Sequence, residues 1–210
     1  MDALNFRRVL WLTVAVLLFA GVGAGAQTSP GPELMKQLRG GGYVLLMRHA
    51  RSPVTLPDKN SADAANIHFE RQLDETGRIT AHAMGDAMRK LDIPIGLVLS
   101  SPTYRALETV RLTALGTPQT YAQLGDGGQS MSDAAVSGQA DWLREKVEER
   151  PKPGSNTIIV THMPNIQAAF EKDAADLTDG EALIFHPDGR GGADLVAKIK
   201  IEDWPSLVRY

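Results

Sequence analysis

Tyr43-Val44-Leu45-Leu46-Met47 is a continuous apolar run, followed directly by Arg48-His49-Ala50. The run is bounded by Gly40-Gly41-Gly42 on one side and a basic pair on the other, a length that suits a buried strand rather than a helix. Two similar runs lie downstream, at 96–99 and at 157–161, the second containing Ile158-Ile159-Val160. Helical patterns separate them. Residues 33–39 place Leu34 and Leu38 at i, i+4, and residues 76–91 are predicted to set Ile79, Ala83, Ala87 and Leu91 on one side. Ser101-Pro102 reads as an N-cap and first helical residue, opening a helix to about residue 115. A further helix is predicted over 132–150, ended by Pro151 and Pro153, and a short one from Pro164 to about residue 172. Residues 181–185 and 194–201 read as closing strands joined through Asp188-Gly189-Arg190-Gly191-Gly192. Strands alternating with helices predict one α/β domain with a mostly parallel sheet. Residues 50–70 have no periodicity, and loops of that length in a compact domain are often functional.

Composition narrows the function classes. A 210-residue chain that is 43% apolar can bury a core without staples. Its net charge of −3 and lack of a Lys/Arg-rich block argue against nucleic acid as a partner. Cysteine is absent, which excludes disulfides, thiolate metal ligands and a cysteine nucleophile. Near the N-terminus, Arg7-Arg8 precedes an apolar stretch over 9–20 and small residues ending Ala24-Gly25-Ala26. This is the pattern of a secretory signal peptide over 1–26, leaving a single domain at 27–210 that is periplasmic or secreted. The alternative is an uncleaved anchor, in which case membrane contact is through that segment only.

Open α/β sheets bind ligands beyond the carboxyl ends of their strands. Applied here, the rule brings Arg48-His49, then Ser100-Ser101 with Arg105, then Thr161-His162 toward one sheet edge. Two Arg and two His suit phosphoryl transfer. Imidazole can attack phosphorus when one nitrogen is free and the other is fixed by an acceptor. Guanidinium groups bind phosphate oxygens in pairs. The helix start at Ser101-Pro102 is expected to add N–H donors, with Arg105 one turn further on.

Leu46-Met47-Arg48-His49-Ala50 resembles the Arg-His-Gly/Ala signature of the histidine phosphatase superfamily, whose fold is phosphoglycerate mutase-like. Ser100-Ser101-Pro102-Thr103-Tyr104-Arg105-Ala106-Leu107-Glu108-Thr109 resembles its second motif, and Val160-Thr161-His162 its third. Leu73-Asp74-Glu75-Thr76-Gly77 is similar to the family's Leu-Thr-x-x-Gly helix start. The resemblance implies a three-layer α/β/α sandwich and a metal-independent phosphatase acting through a phosphohistidine on His49. It implies that Arg48, Arg105 and His162 cradle the phosphate, and that no cofactor or metal takes part. Ser101 is added as a substrate-binding candidate.

For the general acid, Leu124-Gly125-Asp126 sits where the mutase-type branch carries Glu, so Asp126 is the first candidate and Glu181 the second. The acid phosphatase branch has Asp after its late His, where this chain has Met163. Ala50-Arg51-Ser52-Pro53 departs from the mutases themselves. The Arg-His-Ala form is shared with small bacterial phosphohistidine phosphatases and with exported phosphatases proposed to act on envelope sugars. The expected substrate is a phosphorylated small molecule, an envelope sugar phosphate or phosphohistidine. The alternative is a catalytically silent phospho-ligand-binding protein of the same fold. Arg51 and Arg71 flank the long loop and either touch substrate or solvate the surface. Tyr104 is a candidate for the pocket mouth, and Trp142 for the core.

Overall fold

The computed structural model describes residues 31–126 and 133–209. The signal segment expected at 1–26 lies outside the described residues. The elements run α1 (Pro32–Gly40), β1 (Val44–Arg48), α2 (Glu75–Lys90), β2 (Ile95–Ser100), α3 (Tyr104–Thr113) and β3 (Gln119–Thr120). After a 3-10 turn at Ala122–Leu124 come α4 (Asp133–Glu148), β4 (Asn156–Thr161), α5 (Met163–Phe170), β5 (Ala182–Pro187), β6 (Ala193–Ile199) and α6 (Trp204–Leu207).

The six strands form one sheet in the order β3-β2-β4-β1-β5-β6. β1, β2, β3 and β4 pair in parallel, and β5 and β6 join antiparallel at one side. Successive side chains of a strand point to opposite faces. Leu45 and Met47 accordingly enter one core with α1, α2, α3 and α6, whereas Val44 and Leu46 enter a second with α4 and α5. This is the mixed α/β architecture expected from the sequence, with helices on both faces of a sheet whose central strands are buried.

Two local expectations are corrected. The buried side of α2 is Gly77, Ala81, Met84, Gly85, Ala87 and Met88, while Ile79 is 61% exposed. Small residues win that face because α3 packs close: a Cβ at Gly85 would stand 2.0 Å from the Thr113 carbonyl oxygen. Helix α3 begins at Tyr104 rather than at Pro102, with Thr103 as its N-cap. The Ser101 N–H is still bonded to the Val160 carbonyl at 2.9 Å, so strand pairing holds the chain extended past β2. β3 and α6 carry no sequence signal, being two and four residues long.

The Leu73 to Gly77 motif has a direct physical role. The Asp74 carboxylate caps α2 by accepting from the Gly77 N–H at 2.8 Å. A Cβ at Gly77 would lie 2.2 Å from the Arg51 carbonyl oxygen, so only glycine lets α2 start this close to the chain leaving His49.

Candidate active site

The parallel register pairs Arg48 with Thr161, and the His49 N–H continues that ladder to the Thr161 carbonyl at 3.0 Å. The next residue on each strand end is a histidine. His49 and His162 are therefore brought side by side, ring centroids 5.2 Å apart and planes at 62°. Both are almost fully buried. Arg105, the second residue of α3, lies between them and is also buried. Together with Arg48, Arg71, Asp126, Met163 and Pro164 they line a cavity of about 290 Å³.

The hydrogen bonds fix the tautomers. A guanidinium only donates. The Arg105 Nε–H donates to His49 Nε2 at 3.1 Å, so that nitrogen carries a lone pair. His49 Nδ1–H then donates to the Ala50 carbonyl at 2.8 Å. Arg105 Nη2 likewise donates to His162 Nδ1 at 3.1 Å, leaving His162 Nε2–H to donate to Ser101 Oγ at 2.8 Å. Electrostatics agree with neutral rings. Burial, then the charges of Arg105 and Arg48, lower the His49 pKa to about 3, the Ala50 carbonyl opposing in part. Burial and Arg105 lower that of His162 to about 2.

The second motif builds the rest. Thr109 Oγ1 accepts from the Ala50 N–H at 3.0 Å and donates to the Arg105 carbonyl at 2.8 Å, binding α3 to the turn that presents His49. Ser101 is fully buried and does not line the cavity. Instead of reaching substrate, as the sequence reading expected, it orients His162 from behind. The α3 N-terminus is also not an open phosphate cradle. The Tyr104 N–H there donates to Glu70 Oε2 at 2.9 Å, so the first-turn donor is already spent on the chain's own carboxylate.

Arg71 completes the basic set, and the sequence left it undecided beside Arg51. The structure separates the two. Arg71 lines the cavity, its Nε–H and Nη2–H held by the Pro53 and Ser52 carbonyls at 2.8 Å each. Burial and the charges of Arg105 and Arg48 lower its pKa. Arg51 is exposed and pairs with Asp74 at 2.9 Å. Arg48 stands 2.8 Å from Asp179, and its Nε is buried without a hydrogen-bond partner.

The two candidate acids also part company. Asp126 lines the cavity and forms an ion pair with Arg105. Its segment is held by Asn165, whose Nδ2 donates to the Gln123 and Gly125 carbonyls, and by Thr161 Oγ1 on the Leu124 carbonyl. Glu181 is buried off the cavity, where its carboxylate accepts from Thr178 N–H and Oγ1–H, both at 2.9 Å. Tyr104 turns its hydroxyl to Asp63 and does not line the cavity, and Trp142 packs against the second core. Among the described residues, no group of three or more His, Asp or Glu is placed to hold a metal ion. Arg71, Asn165 and Asp179 carry no motif signal, because each reaches the site through a loop or through backbone contacts.

Residues 44–126 match the family described as histidine phosphatase superfamily (branch 1). No curated protein matches the chain. Solved structures share its fold. The protein histidine phosphatase SixA complexed with tungstate is 16% identical, with a TM-score of 0.55 over 76% of this chain and 97% of that one. A candidate α-ribazole-5'-P phosphatase from Escherichia coli is 16% identical, with a TM-score of 0.55 over 76% and 98%. A His-to-Ala mutant of the phosphoserine phosphatase from Entamoeba histolytica, in complex with phosphoserine, is 13% identical, with a TM-score of 0.51 over 76% and 98%. Residues 44–126, which carry Arg48, His49, Arg105 and Asp126, are thus similar to the histidine phosphatase superfamily, and the fold is shared with SixA.

Proposed function

We propose that this chain is a metal-independent phosphatase that hydrolyses phosphate monoesters or phosphohistidine through a phosphohistidine on His49. One observation carries the reading. His49 gives its Nδ1 proton to the Ala50 carbonyl and turns an Nε2 lone pair to Arg105, in a cavity that Arg48 and Arg71 also line. That is a neutral nucleophile facing a dianion-sized concentration of positive charge. SixA of the same fold is complexed with tungstate, and a phosphoserine phosphatase of the same fold with phosphoserine, which supports a phosphorylated ligand here.

In the reaction, the entering phosphate replaces Asp126 and His49 Nε2 as partners of Arg105. His49 Nε2 attacks phosphorus, the N–P bond forms and the ester P–O bond breaks. Arg48, Arg71 and Arg105 hold the equatorial oxygens, where charge stabilisation does most of the work, and His162, whose Nδ1 accepts from Arg105, positions that guanidinium. Asp126, released from Arg105, serves as the general acid that gives a proton to the leaving oxygen. Water then attacks phosphorus, Asp126 takes its proton, and phosphate leaves with His49 restored.

The guanidinium groups supply the charge neutralisation that a divalent cation would otherwise give. Action outside the cytoplasm rests on the signal pattern of residues 1–26. The substrate proposed is a phosphorylated small molecule or envelope sugar phosphate. The deciding experiment is turnover of an aryl phosphate by the purified chain with a chelator present. Turnover inhibited by vanadate is expected. Binding of tungstate without any turnover would instead establish the silent binding protein.

A further inference from the structure

The turn Thr178-Asp179-Gly180-Glu181, which leads into β5, holds the Arg48-His49 pair by three separate links. The Gly180 N–H donates to the His49 carbonyl at 3.0 Å. The Glu181 carbonyl accepts from the Arg48 N–H at 3.3 Å. Asp179 Oδ1 stands 2.8 Å from Arg48 Nη2. The turn is itself locked. Glu181 Oε2 folds back onto the Thr178 N–H and hydroxyl. Gly180 adopts φ +73°, and a Cβ there would lie 2.8 Å from the Ile201 side chain, so no other residue fits without movement.

We propose that Asp179 is a positioning residue for the phosphatase reaction. It acts through Arg48, aiming that guanidinium into the cavity; the proposal rests on the phosphatase reading above. Arg48 Nε and Asp179 Oδ1 are both buried and neither has an aligned hydrogen-bond partner. The pair is therefore held by charge rather than by a directed bond. The far end of the fork is pinned while the Arg48 side chain still lines the cavity. Asp179 does not line the cavity, so it has no direct role at phosphorus. Two of the three guanidinium groups at the cavity carry a carboxylate, Asp126 on Arg105 and Asp179 on Arg48. They differ in how they are anchored. Asp126 faces the cavity and gives way to substrate, while Asp179 sits on a locked turn and stays.

The test is a double-mutant cycle on folded protein, since residues that act as a unit are non-additive. Asp179→Asn is expected to lower kcat about tenfold, less than the loss from removing a phosphate donor outright. Asp179→Glu, which restores the charge, should recover part of that loss. In an Arg48→Ala background, Asp179→Asn should cost less than twofold more. Losses that multiply in the double variant, or an Asp179→Asn enzyme with wild-type kcat, would overturn the proposal. Tungstate affinity, measured by calorimetry, gives the same cycle without turnover. The change in Kd caused by Asp179→Asn should fall below twofold once Arg48 is Ala, and an undiminished change would overturn it. A wild type that binds tungstate but turns nothing over defeats the phosphatase reading and leaves this cycle readable.

Discussion

His49 and His162 sit at equivalent ends of adjacent parallel strands, and the buried Arg105 bonds both rings at 3.1 Å. One guanidinium thereby fixes two tautomers, leaving His49 Nε2 as the lone-pair nitrogen at the cavity. The chemistry of each ring depends on the other's geometry, and this defines what substitutions should do.

His49→Ala removes the attacking atom. Labelling from a radioactive phosphate ester should vanish in this variant. In the wild type the trapped label should be acid-labile and base-stable, as a phosphoramidate is. Label on Ser100 or Ser101, which would survive acid, defeats the nucleophile assignment.

Arg71 and Arg51 offer a paired comparison. Arg71 lines the cavity, so Arg71→Ala should reduce kcat/KM on the order of 10²-fold, the scale of a lost transition-state donor. Arg51→Ala should stay within about twofold, because that side chain is exposed and pairs only with Asp74. Steady-state kinetics on one aryl phosphate decides both.

Asp126→Asn should discriminate between leaving groups. An aryl oxide departs with little help, whereas an alkyl or sugar oxygen needs a proton. The variant is expected to lose far more activity on alkyl phosphates. An equal loss on both classes would remove Asp126 from the acid role.

The two buried histidines also set a pH dependence of stability. Their folded pKa values, about 3 for His49 and about 2 for His162, lie below the unfolded value near 6.5. Below pH 6.5 the unfolded chain takes up protons that the folded chain refuses. Their contribution is complete above pH 6.5 and is lost as pH falls toward the folded values. At pH 5 the loss should be roughly 1–2 kcal/mol for each ring. Urea denaturation at pH 7 and pH 5 should show that drop, and His162→Ala should show a smaller one.

Export predicts a mature chain beginning near Gln27 outside the cytoplasm. Fractionation with N-terminal sequencing checks this. A cytoplasmic chain retaining Met1 would contradict it.

Much of the site was legible from local sequence. An apolar run that ends in Arg48-His49 is a strand delivering polar groups to a sheet edge, and the same holds for β2 with Arg105 and β4 with His162. Strand pairing needs only local apolar pattern to be recognised, so the α/β class and the polar sheet edge followed. Tertiary structure alone decided the rest. Ile79 lies outside the core because α3 demands small residues on α2. Arg71 enters the cavity and Arg51 does not because the Ser52 and Pro53 carbonyls capture one guanidinium and Asp74 the other. Asp126 and Glu181 are both carboxylates near predicted strand ends, yet Thr178 binds one and the cavity receives the other. Ser101 moved from substrate to support because β2 pairing carries it behind His162. These choices turn on which partner a flexible charged or polar side chain meets across many residues of sequence. Periodicity and spacing hold no record of that; only the packed chain does.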